Sequence, residues 1–159
     1  MKIYVKYHSP VVEKLGTIRG CWMDLCSSKT YHIDKNKSQL IDLGISMKLP
    51  KYFEANIVPR SGSFKNFGLI QLNHMGVVDG ADATSGGYSG NGDVWKWSAY
   101  ALNVASDVKE GERVCQFSIR PSMFAPWYVK LKWLFTSTLK FVEVDDLGNV
   151  NRGGFGSTN

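Results

Sequence analysis

The sequence predicts an all-β sandwich or jelly roll, and three features carry that reading. Apolar and polar residues alternate over short segments, turn residues punctuate them at close spacing, and no segment holds an apolar helical stripe over three turns. Taken in order, Met1–Tyr7 alternates around Ile3, Val5 and Tyr7. Leu40–Leu49 reads as two short strands broken at Gly44, and Tyr52–Val58 as another. Gly68–Leu72, Met75–Val78, Val94–Val104 and Arg113–Ile119 continue the series. No internal repeat and no linker rich in Pro or Ser divides the chain. Residues 1–150 therefore read as one β domain and 151–159 as a mobile, glycine-rich C-terminal arm.

Composition narrows the function classes. The 159 residues are 43% hydrophobic and 21% charged, which excludes a disordered or collagen-like chain. No run approaches the length of a membrane span, and the N-terminal segment has no continuous apolar core of a secretory signal. No membrane partner and a cytoplasmic location are expected. Nineteen Lys and Arg against fourteen Asp and Glu leave a formal +5, which mildly favours anionic partners, nucleotides included. Cys21, Cys26 and Cys115 lack zinc-ligand spacing and read as buried reduced thiols. His8, His32 and His74 show no metal-binding pattern.

Two stretches are too glycine-rich for simple connections: Gly76–Trp95 and Asn151–Asn159. Ordering such segments costs conformational entropy that other contacts must offset. The second has the parts of a flap for a nucleotide: backbone N–H groups and hydroxyls for phosphate, an arginine, and one aromatic face. Other segments read beside it sharpen the pattern. Pro59-Arg60-Ser61-Gly62 sets a cation and a hydroxyl in a turn after a strand. Gly76-Val77-Val78-Asp79 ends a strand on a carboxylate, where a general base could sit. Gly111 through Gln116, GERVCQ, leads a charged turn into a strand carrying a neutral amide.

In this chain order the set resembles the five motifs of the trimeric all-β dUTP nucleotidohydrolases, the dUTPases. The first is Trp22-Met23-Asp24-Leu25-Cys26-Ser27, the second PRSG at 59–62 and the third begins GVVD at 76–79. The fourth is GERVCQ at 111–116 and the fifth RGGFGST at 152–158. The spacing from Pro59 through Asn73 to Asp79 matches without a gap, and the likeness runs from about residue 3 to the end. It implies a distorted jelly roll, a homotrimer with active sites at subunit interfaces, and hydrolysis of dUTP to dUMP and pyrophosphate with Mg²⁺. Such an activity keeps uracil out of DNA and supplies dUMP for thymidylate synthesis; nucleic acid is not required as a partner.

The resemblance also implies roles. Asp79 matches the carboxylate that orients and deprotonates the attacking water, a poor nucleophile without such help. Asn73, with backbone near Val78, matches the reader of the uracil edge, where a hydrogen-bonding mismatch supports strong discrimination. Tyr88 resembles the aromatic that packs under the sugar and leaves no room for a 2′-hydroxyl. Ser61 and Gly62 would bond phosphate oxygens, and Gln116 would contact the α-phosphate. Arg60 would either bind substrate or bridge motifs. Asp24 matches an acidic residue near the waters of the magnesium ion. In the arm, Arg152 would meet the γ-phosphate, Phe155 would cover uracil, and Gly156, Ser157 and Thr158 would hold phosphates.

Departures from the family pattern are equally legible. Gly80 through Gly87 place eight residues between Asp79 and Tyr88, six more than the family uses, so that pairing depends on where the extra residues loop out. Asp82 is the fallback for the base. The arm has two residues fewer than usual between Arg152 and Phe155. Trp22 replaces the usual glycine, and 121–140 is longer than the family needs, insertions expected of a phage or viral member acting in a host cytoplasm. A dCTP deaminase of related fold would need a glutamate near the base, and residues 55–109 contain none. A binding module using the basic-aromatic stretch Trp127, Lys130, Lys132, Trp133 and Lys140 is the other alternative. That stretch otherwise reads as a lateral surface or core strand.

Overall fold

The computed structural model describes residues 1–18, 21–80, 87–136 and 138–153. Among the described residues, thirteen strands and two short helices follow in chain order. The first six strands are β1 Lys2–Tyr7, β2 Thr17–Ile18, β3 Met23–Cys26, β4 Tyr31–Ile33, β5 Ser38–Asp42 and β6 Ile45–Lys48. Then come β7 Phe53–Pro59, α1 Ser63–Phe67, β8 Leu69–Gln71, β9 Gly76–Asp79 and β10 Lys96–Ala101. The chain closes with β11 Ser106–Val108, β12 Arg113–Pro121, α2 Trp127–Leu134 and β13 Leu139–Glu143.

These strands form sheets ordered β2-β13-β1-β6, β5-β10-β8, β11-β4 and β3-β12-β7-β9. All pairings are antiparallel except β1 with β13. Period-two patterning sets which face is inside. In β10, Trp97, Ala99 and Ala101 are buried while Lys96, Ser98 and Tyr100 are only partly covered. The inner faces meet in one core, where the Phe117 ring takes Trp95 edge-on at 5.4 Å and Phe141 at 6.2 Å. Gly44 breaks Leu40–Leu49 as anticipated. Its φ is +64°, and a Cβ there would stand 2.7 Å from Val12 and 2.8 Å from Ser28.

The structure overturns two readings of the sequence. Trp127–Leu134 is a helix, not a strand. Eight residues are little more than two turns, too short for a stripe over three, and the aromatic content mimics β-propensity. Val129 and Trp133, one turn apart, pack onto the core, with Trp133 edge-on to Phe53 at 5.4 Å. Cys26 and Cys115 are buried as expected, but Cys21 is exposed. Among the described residues no helix is long and apolar enough to cross a membrane.

Candidate active site

Two clusters of the anticipated residues stand on the β3-β12-β7-β9 sheet. The first is built where three strands lie in register: Gln116 of β12 is opposite Asp24 of β3 on one side and Val58 of β7 on the other. In-register side chains share a face, so the carboxylate and the amide project together. Where β7 ends, the chain turns back through Arg60. Its Nε donates to Asp24 Oδ1 at 2.9 Å and its Nη1 to the Arg113 carbonyl at 3.1 Å. Gln116 Nε2 donates to the Pro59 carbonyl at 3.0 Å. Arg60 thus contacts residues of the first and fourth motifs from its place in the second.

The turn itself is held from below. Ser63 Oγ accepts the Arg60 N–H at 2.9 Å and donates to the Val114 carbonyl at 2.7 Å. That carbonyl is available because β12 slips register against β3 between Arg113 and Cys115, a bulge that leaves both Val114 and Cys115 buried. Ser61 is left exposed at the tip, with Gly62 beside it. Burial pushes the Cys115 thiol well above its usual pKa, so beneath this cluster it is a neutral packing group.

The second cluster gathers at the far end of β9. Val78 is fully buried, and Asp79 follows it in register with Glu54 of β7. The Tyr88 N–H donates to the Asp79 carbonyl at 3.0 Å. The 80–87 insertion is therefore closed at its base, and Asp79 and Tyr88 remain neighbours. Gly80 permits the departure, because a Cβ there would lie 2.5 Å from the Phe53 carbonyl oxygen. Asn73 donates to the Met75 carbonyl at 3.0 Å and sits exposed in the turn before β9. Asp82 lies outside the described residues.

The start of the arm docks on this cluster. Asp93, 4% exposed, accepts the backbone N–H groups of Gly90 at 2.8 Å, Arg152 at 3.0 Å and Gly153 at 3.2 Å. Asn151 Oδ1 accepts the Gly92 N–H at 2.6 Å. So anchored, the Arg152 guanidinium lies over the Tyr88 ring at 4.4 Å, with Nη1 3.5 Å from an Asp79 carboxylate oxygen. That nitrogen is buried and makes no hydrogen bond among the described residues. Phe155, Gly156, Ser157 and Thr158 lie outside the described residues.

Asp93 is the site residue that sequence reasoning missed. A lone aspartate in Gly-Asn-Gly-Asp reads as a turn former. Its one signal was a carboxylate following glycines that supply bare backbone N–H groups.

The two clusters do not meet within the chain. Along β7, Asp79 is opposite Glu54 and Gln116 is opposite Val58. Four residues of extended strand separate those positions, about 13 Å at ~3.3 Å per residue. No metal-holding group of three or more His, Cys, Asp or Glu side chains occurs among the described residues. Asp24, paired with Arg60 and 3.6 Å from Arg113 Nη1, does not fit direct coordination by protein alone. It does fit a metal ion carried on substrate phosphates and reached through water.

The sequence comparisons decide the family. The dUTPase family model matches residues 20–121. The chain belongs to the dUTPase family. It is 39% identical over 159 residues to the SPbeta prophage-derived deoxyuridine 5'-triphosphate nucleotidohydrolase YosS of Bacillus subtilis (strain 168), covering 99% of this chain and 98% of that one. It is 33% identical over 141 residues to the deoxyuridine 5'-triphosphate nucleotidohydrolase of Clostridium novyi (strain NT), covering 86% and 82%. Among solved structures, the Streptococcus mutans dUTPase superposes with a TM-score of 0.59 at 20% identity, over 71% of this dUTPase and 87% of that one. A mutant dUTPase from phage phi11 of S. aureus, described with a coordinated structural Mg(II) ion, gives 0.61 at 12% identity over 78% and 92%. The fold is the dUTPase jelly roll.

Proposed function

We propose that the chain hydrolyses dUTP to dUMP and pyrophosphate, with Asp79 orienting the attacking water and taking its proton. The observation that carries the assignment is the Tyr88 N–H to Asp79 carbonyl bond, which keeps carboxylate and aromatic side by side despite the eight residues between them. Water attacks the α-phosphorus, the bond to the bridging oxygen breaks, and pyrophosphate leaves. Asn73 and the backbone around Val78 read the uracil edge, and the Tyr88 ring supports the deoxyribose.

Ser61, Gly62 and Gln116 bind phosphate oxygens, while Arg60 holds Asp24 and the turn in place. Arg152 turns its unsatisfied Nη1 to phosphate when the nucleotide takes the face of Tyr88. Phe155, Gly156, Ser157 and Thr158 complete the cover over base and phosphates. Mg²⁺, arriving on the phosphates with waters near Asp24, would neutralise charge on the triphosphate.

Water held by Asp79 and amide held by Gln116 must approach the same phosphorus, and about 13 Å along β7 is too far for that. A site completed by a neighbouring copy removes the difficulty, which supports a homotrimer with three interface sites. Pyrophosphate release measured across dUTP, dCTP, dTTP and UTP tests the function. Hydrolysis confined to dUTP is expected. Ammonia release from dCTP would replace the assignment with deamination.

A further inference from the structure

The segment between β12 and β13 begins where the family match ends, at residue 121. Its helix α2 has two apolar faces. At 100° per residue, Val129 and Trp133 fall on the side packed to the core. Trp127, Leu131 and Leu134 fall opposite, flanked by Tyr128 and extended beyond the helix ends by Phe124 and Phe135. All six are exposed, from 47% at Leu131 to 89% at Phe124.

Four aromatic side chains of about 200 Å² each, with two leucines, present on the order of 800 Å² at these exposures, the share one partner gives to a standard stable interface. Unpartnered apolar patches of that size are unusual on a soluble monomer. No charged residue lies on the stripe. Lys130 is turned back to the Met123 carbonyl at 3.0 Å, and Lys132 lines the cavity of about 490 Å³ behind the helix. Residues 121–142 contain no Asp or Glu.

We propose that this stripe pairs with the same stripe of a second copy, two α2 helices packing antiparallel about a twofold axis. An uncharged apolar stripe offers little to a charged partner and is complementary to itself, as a twofold contact requires. Apolar positions at Phe124, Trp127, Leu131 and Leu134 recur at the three- and four-residue spacing of helix pairs. Each copy brings the positive charge of Lys130 and Lys132 to the pair with no Asp or Glu in 121–142 to offset it, so the pairing tightens with salt. It goes beyond the nucleotide site and does not depend on it.

The full-length protein is compared with the Trp127→Ser, Leu131→Ser double variant by sedimentation velocity at low and high salt. Both substituted side chains are exposed, so the core-facing Val129 and Trp133 are untouched. A wild-type mass twice that of the variant, with the paired fraction rising with salt, is expected whether the smaller unit is a trimer or not. Equal masses overturn the proposal. So does a fall to one third, which would put the stripe inside a threefold ring, or open-ended growth with concentration. Wild type at the variant's mass that floats with phosphatidylglycerol vesicles would make the stripe a lipid contact instead. In a Cys21→Ser background, Leu131→Cys near the stripe centre should cross-link to its own copy on oxidation. Absence of that cross-link while the doubled mass persists rules out the antiparallel twofold geometry.

Discussion

The carboxylate of Asp93 accepts the backbone N–H of Arg152 from both oxygens, at 3.0 and 3.1 Å. One buried side chain thereby fixes where the glycine-rich arm leaves the β domain and sets the Arg152 guanidinium on Tyr88. Asp93→Asn keeps an acceptor but turns an NH₂ toward N–H donors. Bonds to a charged acceptor are worth about 1.5–3 kcal/mol, so a fall of roughly 3–12 °C in Tm is expected by calorimetry. Turnover should fall with it, while a variant as stable and active as wild type would remove Asp93 from the arm's anchorage.

Gly90 tests the same anchorage from the other side. A Cβ at Gly90 would stand 2.6 Å from Asn151 Cα and 2.7 Å from its backbone nitrogen. Backbone cannot yield as a side-chain tip does, so Gly90→Ala should displace the arm root. Its dUTP turnover should drop toward that of a chain truncated after Val150, with circular dichroism unchanged. Full activity in either protein would discard the arm's role.

Asp79→Asn keeps shape and polarity but removes proton affinity. A loss of at least ~10²-fold in kcat with KM nearly unchanged is expected, the scale of a lost general base. Steady-state kinetics on dUTP checks it, and Asp82→Asn measured alongside should do far less. The reverse order would move the base into the insertion.

Cysteine labelling reports on the first cluster. Burial raises the pKa of both Cys26 and Cys115, the latter strongly, so their reactive thiolate fraction is depressed at neutral pH; Cys21 is exposed. Iodoacetamide on the native protein, read by peptide mass spectrometry, should label Cys21 and spare the other two. Rapid labelling of Cys115 would mean that the bulge beside Ser63 opens readily.

Strands whose sequence alternates apolar with polar residues were legible: Lys2–Tyr7, Phe53–Pro59 and Arg113–Pro121 fall within two residues of the expected spans. Short elements were not. Met23–Cys26 is almost wholly buried, and Tyr31–Ile33 and Ser106–Val108 have three residues each, too few to show alternation. The site motifs could be read as a set, since strand ends and turns need particular residues there. The contact of Arg152 with Tyr88 could not, because it depends on Asp93 reaching backbone groups of Arg152 and Gly153, about 60 residues away in sequence.

Mixing two inactive variants tests the shared site directly. Asp79→Asn disables one cluster and Gln116→Ala the other, and each alone should be nearly inactive. Denatured together in equal amounts and refolded, they should recover about one quarter of wild-type turnover, because in a random cyclic oligomer about one interface in four joins two intact clusters. Recovery no greater than the sum of the separately refolded variants would place both clusters of each working site in a single chain and contradict a site completed between copies.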